Sequence, residues 1–271
     1  MTPRTAWIAA LLLAVFIAVY AVVPTVSEIL NRGLAISLDV RLSPPSHNHW
    51  LGTDQLGRDS LSMVVFGCLS SLSVALMAVI IGASIGLPLG LLASARTSIM
   101  STVILRLNDF IFAFPALVTA ILIHTLFGSG ILTAGLAIGL FNIPVFARTI
   151  YGAARPIWTK DFIRAARLAG KGNLTIAMSH VLPLVASVAL AQISTQIGLG
   201  ILAEAGLSYV GIGVTPPTPS WGRMLNEAQT LIAIAPRLAL IPGVAIALFV
   251  FMFTSLGDYL SDLADPKRRD G

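Results

Sequence analysis

Long charge-free apolar runs alternate with short polar interruptions along this chain. No Asp, Glu, Lys or Arg occurs between Arg4 and Glu28 or between Ser60 and Ala95. A membrane-spanning helix needs roughly 20 apolar residues rising 1.5 Å each. On that measure the pattern predicts six spans, over 7–23, 73–94, 103–127, 131–147, 182–202 and 238–256. Gly128-Ser129-Gly130 marks the turn between the third and fourth. Residues 161–170 interrupt the runs with a short basic helix, and 24–60 and 211–237 are polar, proline-containing segments. The expected organisation is an N-terminal anchor span (1–23), an outer loop segment (24–72) and a core of five spans (73–271).

Composition agrees with this class. The chain is 56% hydrophobic and 11% charged, with a mean hydropathy of +0.89, whereas soluble domains carry about 25% charged residues. A polytopic, all-α membrane protein is therefore expected. Of its 17 Lys and Arg, 12 fall on the side that holds both termini in a six-span reading and five on the other. That asymmetry places both termini in the cytoplasm. A seven-span reading would split 60–95 into a hairpin and carry the terminal Lys267-Arg268-Arg269 outside. The net charge of +5 is read as orientation charge, with no nucleic-acid partner. The first span has a longer apolar run than a secretory leader and lacks a small-x-small cleavage site, so it is read as a retained anchor.

Small residues inside the spans follow helical spacing. Gly82, Gly86 and Gly90 share one face, and Gly135 and Gly139 repeat the device. Lipid supplies no hydrophobic drive between helices, so close backbone approach over glycine has to supply the association. The stripe suits either fixed packing or an interface that rocks. Pro88 is expected to kink the same helix. Asp109 and Glu204 lie near span ends; Arg106 stands three residues before Asp109 and can pair with it, while Glu204 has no local partner. His47 and His49 form His-x-His, too few ligands for a selective metal site, and the lone Cys68 excludes an internal disulfide or a Cys-based site. No metal site is predicted.

The basic helix is the most informative interruption. Phe162, Ala165, Ala166 and Ala169 fall at i, i+3, i+4 and i+7, with Arg164, Arg167 and Lys171 on a neighbouring face. Asp161 stands at the helix start, where a carboxylate is favoured, and Gly170 can end the helix. An alanine-rich stripe suits a protein groove better than lipid, although a basic loop against anionic lipid is the plain alternative. Gly170-Lys171 is not a phosphate loop, because Gly172 stands where Ser or Thr is needed and Ala165 where Gly is. Energy must then come from a partner or from an ion gradient.

The spacing Arg164-Ala165-Ala166, Gly170, His180-Val181-Leu182-Pro183 resembles the cytoplasmic signature of ABC importer permeases, Glu-Ala-Ala, three residues, Gly, nine residues, Ile-x-Leu-Pro. Leu51-Gly-Thr-Asp-Gln-Leu-Gly-Arg-Asp59 resembles the outer-loop signature of the dipeptide/oligopeptide/nickel branch, as do Glu204-Ala-Gly-Leu-Ser-Tyr-Val-Gly-Ile-Gly213, Pro216-Pro217 and Pro219-Ser-Trp-Gly222. Leu256-Gly-Asp-Tyr-Leu-Ser-Asp-Leu-Ala-Asp-Pro266 is similar to that branch's tail, and the whole is similar to the dipeptide C-type subunit. The resemblance implies a type I permease fold and a homologous second permease. It also implies two cytoplasmic ATPases that use ATP and Mg, and an extracytoplasmic solute-binding protein. It implies no catalytic residue and no cofactor on this chain, and a coupling helix at 161–170 with Ala165, Ala166 and Gly170 in the ATPase groove. Arg164 departs from the signature's Glu, and His180 from its Ile. The implied solute is a di- or oligopeptide, with nickel or a nickel chelate as the alternative. A secondary transporter driven by an ion gradient is the competing class; paired mid-membrane acids and an inverted repeat, which it would use, are not evident.

Overall fold

The computed structural model describes residues 33–95 and 99–264. The expected first span lies outside the described residues. Within them the chain is a helical bundle: α1 (Ser60–Ala95), α2 (Ile99–Ala113), α3 (Ala116–Phe127), α4 (Ile131–Ala154), the short α5 (Asp161–Leu168), α6 (Asn173–Val210), the short α7 (Trp221–Ala228) and α8 (Arg237–Ala264). Four of these, α1, α4, α6 and α8, are long and apolar enough to cross a bilayer.

α1 begins at Ser60 rather than at the expected 73. Asp59 explains the early start, since its carboxylate accepts the backbone N–H of Ser62 at 2.9 Å and the Ser62 hydroxyl at 3.0 Å, satisfying donors that a helix start leaves unpaired. Ser73 then turns its hydroxyl back onto the Leu69 carbonyl, so the polar residues of this stretch do not interrupt the helix. Replacing Asp59 by Ala is expected to cost about 0.5–2 kcal/mol, read as a lower thermal midpoint of the purified complex. Asp59→Asn, which keeps an acceptor, should recover most of it.

The expected third span is broken. α2 and α3 meet at 83° across Phe114-Pro115. Pro115 has no N–H to donate and its ring excludes the carbonyl four residues back, while the residue before a proline is pushed out of helical geometry. α6 meets the same problem at Pro183 and solves it differently. Its first turn (Asn173–Ile176) passes into a π-turn over Ala177–Val181 before the α-helix resumes at Leu182. The wider turn accommodates the proline without ending the helix.

α1 and α4 form the closest helix pair. A Cβ on Gly86 would lie 2.5 Å from the Ile143 carbonyl oxygen, and one on Gly90 2.5 Å from that of Ala147; one on Gly82 would overlap Asn142. In return, Gly135 lies under Met77 and Gly139 under Ile81. Both glycine stripes therefore belong to one interface within this chain, where each backbone sits in the gap that the other's missing side chains leave. α6 lies across this pair through Gly200 on Ala75, and α8 packs on α6 through Gly198 and Gly257.

Candidate functional site

The short basic helix is present as α5, and its seat explains its orientation. Ile163 is fully buried and Ala166 nearly so, in a cluster with Leu91 of α1, Ile150 and Ala154 of α4, Trp158, and Ile176, Val181 and Val185 of α6. Trp158 donates its indole N–H to the Ser94 hydroxyl at 2.9 Å, and Arg155 reaches the Ser94 carbonyl at 3.2 Å. The ends of three spanning helices and α5 thus share one apolar knot.

At 100° per residue, the face opposite Ile163 and Ala166 carries Asp161, Arg164, Ala165 and Leu168, flanked by Phe162 and Ala169. All six are exposed, Leu168 at 90%. Ala166 points into the bundle, so the outward strip differs from the one drawn by i, i+3, i+4, i+7 spacing, and Leu168 joins it. Arg164 donates to Asp161 at 3.2 Å on this face. Arg167 turns sideways over the Trp158 ring, 5.6 Å from its centroid. The helix ends where Gly170 adopts φ +79°. There the Gly170 N–H bonds the Arg167 carbonyl at 3.0 Å and the Lys171 N–H bonds the Ala166 carbonyl at 3.1 Å. These are the paired bonds of a Schellman turn, and the left-handed residue it requires favours glycine. Pro183 sits one helical stretch on, just after the π-turn.

The opposite end of the bundle is closed by residues 33–59 and 211–236. Asp54 accepts the backbone N–H groups of Leu56 and Arg58 and pairs with the Arg58 guanidinium at 2.6 Å; Arg58 also reaches Glu227 at 2.6 Å, as does Arg223. Arg237 holds the carbonyls of Leu42 and Ser43. Arg58 of the Leu51–Asp59 motif thus ties the loop to α7, and the carbonyls that Arg237 holds tie it to α8. His49 bonds Asp59 at 3.1 Å, whereas His47 is exposed. Among the described residues no group of three His, Cys, Asp or Glu is placed to hold a metal.

Polar side chains also join the helices, and the pairings of Asp109 with Arg148 and of Asn142 with Gln196 are not legible in local spacing. Asp109 pairs chiefly with Arg148 of α4, at 2.5 Å, and only distantly with Arg106, at 3.9 Å. Glu204 is fully buried, takes the Ser208 hydroxyl at 2.6 Å and lies beside the hydroxyls of Ser71 and Ser220. It therefore joins α1, α6 and the start of α7. At mid-bundle, Asn142 accepts a hydrogen bond from Gln196 at 3.1 Å, both side chains being buried. These neutral amides stand inside apolar runs, where a search for charges passes over them.

Residues 86–270 match the model of a family described as the binding-protein-dependent transport system inner membrane component. The chain belongs to that family. Among the relatives of this permease, the glutathione transport system permease protein GsiD of Pectobacterium atrosepticum is 41% identical over 223 residues, covering 82% of this chain and 74% of the relative. GsiD of Escherichia coli O6:K15:H31 is equally similar. A chain of the methionine ABC transporter MetNI, in an inward-facing conformation, superposes with a TM-score of 0.65 at 17% identity, over 76% of this chain and 97% of that one, which establishes a shared fold. The permease is a membrane component of an ABC importer, located in the inner membrane, and its branch is the one that the Leu51–Asp59 and Glu204–Gly213 motifs resemble.

Proposed function

We propose that this permease forms part of the inner-membrane pathway for di- or oligopeptides, with peptides the size of glutathione as the first class to test, and that Asp161–Leu168 is its ATPase-coupling helix. The peptide class is supported by the GsiD relatives. The coupling role is carried by one observation: an exposed helical face whose opposite side, Ile163 and Ala166, is packed into the ends of α1, α4 and α6. A push on the outer face then reaches three spans through rigid contacts, as coupling through packed elements requires. Both termini lie in the cytoplasm in this reading. The partners are a homologous second permease, two ATPases that bind ATP and Mg and perform the hydrolysis, and a solute-binding protein outside. The binding protein would meet the outer cap, where Ile36, Leu38 and Trp50 are exposed.

Arg164 in the place of the signature's Glu is accommodated within α5. Its bond to Asp161 keeps that pair locally neutral, so the docking face offers Ala165 and Leu168 rather than a net charge. ATP-dependent uptake of labelled peptide by vesicles holding the whole complex tests the reading. Uptake that ignores ATP and collapses with the ion gradient would overturn it.

Gly170 gives a second test. No heavy atom lies within 4 Å of the place its Cβ would occupy, so substitution costs backbone strain rather than internal clash. Gly170→Asn, whose residue type visits the left-handed region, should keep uptake. Gly170→Trp adds bulk at the docking face and is expected to weaken docking by about 2 kcal/mol, or roughly thirtyfold, measured as ATPase retained on the purified permeases. Gly170→Trp with normal docking and uptake would remove α5 from the coupling contact.

A further inference from the structure

We infer that the basic cleft beside α5 binds the phosphate of an anionic phospholipid headgroup in the cytoplasmic leaflet; this rests on the cytoplasmic placement of α5 in the reading above. The cleft is open to solvent and has a volume of about 1010 Å³. Its walls include Ala95 at the end of α1, Arg155 and Thr159 after α4, Arg167 of α5, Lys171 beyond it, and Asn173, where α6 starts. Three of these residues are cations, and the lining holds no Asp or Glu. Among the described residues neither Arg155, Arg167 nor Lys171 is in an ion pair.

The two arginines are held in place by contacts that leave their charge unbalanced. Arg155 gives one N–H to the Ser94 carbonyl at 3.2 Å and keeps its other guanidinium N–H groups. Arg167 lies over the Trp158 ring, 5.6 Å from its centroid, a contact that needs none of its N–H donors. Trp158 is itself pinned by its bond to the Ser94 hydroxyl at 2.9 Å. Lys171 is exposed and adds a point charge on a flexible stem. Like charges gathered around one cleft repel, and an anion relieves that repulsion. The planar fork of arginine matches phosphate oxygens, whereas a metal cation is repelled.

Position in the fold decides the source of the phosphate. The cleft lies at the ends of α1 and α4 and the start of α6, three helices long and apolar enough to cross a bilayer. Such ends stand at the level of the headgroups. Leu92, three residues before Ala95 and therefore on its side of α1, is 53% exposed, and Leu174, next after Asn173, is 69% exposed. Acyl chains have a use for that apolar surface and a soluble phosphate has none. Basic pockets between spanning helices on the cytoplasmic side suit anionic headgroups for these reasons. Neither Ala165 nor Leu168 of the docking face lines the cleft, so a seated lipid leaves that face free. Its phosphate would bridge the end of α4, α5 and the start of α6, the parts that have to move together.

The test uses the assembled complex of both permeases, ATPases and binding protein in vesicles, labelled with a membrane-impermeant maleimide. Thr159→Cys is the reporter, since Thr159 is exposed and the native Cys68 is buried. Thr175→Cys, exposed outside the cleft, registers any general effect of surface charge. Adding phosphatidylglycerol to phosphatidylcholine vesicles should slow labelling at 159 several-fold more than at 175. In Lys171→Gln the phosphatidylglycerol fraction giving half protection should rise about fivefold, and Lys171→Arg should restore it. Equal slowing at both positions, no slowing at 159, or an unshifted curve in Lys171→Gln overturns the site. Inorganic phosphate that protects 159 in phosphatidylcholine alone would give the cleft to a soluble anion and overturn the lipid assignment. No labelling at 159 in either lipid would mean that a partner subunit fills the cleft, which overturns it as well. Labelling only from the side opposite the ATPases sinks the cytoplasmic placement and the site with it; labelling from the ATPase side without lipid protection sinks the site alone.

Discussion

Gly86→Val is expected to prevent stable assembly of the permease. The new Cβ would stand 2.5 Å from the Ile143 carbonyl oxygen and 2.7 Å from Phe146 Cβ. The first obstacle is backbone, which cannot rotate aside, so α1 and α4 must separate. In water, burial of other apolar surface would offset part of that loss; in lipid it does not, because separated helices are solvated by chains as apolar as themselves. Overpacking a well-filled core costs about 1–3 kcal/mol, occasionally more, and a branched residue in a backbone-to-backbone contact belongs at the upper end. The measurement is the amount and thermal midpoint of complex recovered from membranes. Gly152→Val is the control, since no heavy atom lies within 4 Å of its Cβ position on α4. Equal recovery of the two variants would mean that the glycine stripe is not what holds the pair.

Ile163→Ala should leave a complex that hydrolyses ATP but imports poorly. Ile163 is fully buried in the knot that joins α5 to α1, α4 and α6, and truncating such a side chain costs about 2–5 kcal/mol where the site cannot collapse. The outward face of α5 is untouched, so the ATPases still dock, but the helix can now shift in its seat without moving the spans. Peptide taken up per ATP hydrolysed is the quantity to follow. Leu168→Ala, on the opposite face, should instead reduce ATPase copurification with the permeases. If Ile163→Ala keeps the wild-type ratio of uptake to hydrolysis, force reaches the spans by another route.

Features that depend on helical period alone were legible in the chain. The spacing of Gly82, Gly86 and Gly90 and of Gly135 and Gly139 marks close-packed faces, although not that the two stripes meet each other. α5 and its terminating glycine follow from Asp161, the alanine spacing and Gly170. Its inward face runs through Ile163 and Ala166 rather than leaving Ala166 outward, since nothing local tells which side of a short helix the bundle occupies. Pro115 inside the third apolar run was the available signal for the α2–α3 break, and hydropathy averaging passes over it. The partnerships of Asp109 with Arg148 and of Asn142 with Gln196, and the approach of Ser71 and Ser220 to Glu204, join residues far apart, whereas Ser208 lies one turn from Glu204 on the same helix. The signal for Asn142 with Gln196 was two amides in otherwise apolar segments, unremarkable when only charges are counted.

The π-turn at Ala177–Val181 has a consequence for alignment. Such a turn holds one residue more than the α-turn it replaces, and each residue advances a helix by about 100°. The stretch from Leu182 onward is therefore rotated by about that angle from where an uninterrupted helix starting at Asn173 would put it. Ile176 can face the knot around Ile163 while, on the same rod, Gln196 faces Asn142. The angular phase between the part of α6 that receives motion from α5 and the part that carries Gln196 is thus fixed by a single surplus residue, inserted where Pro183 would otherwise have broken the helix.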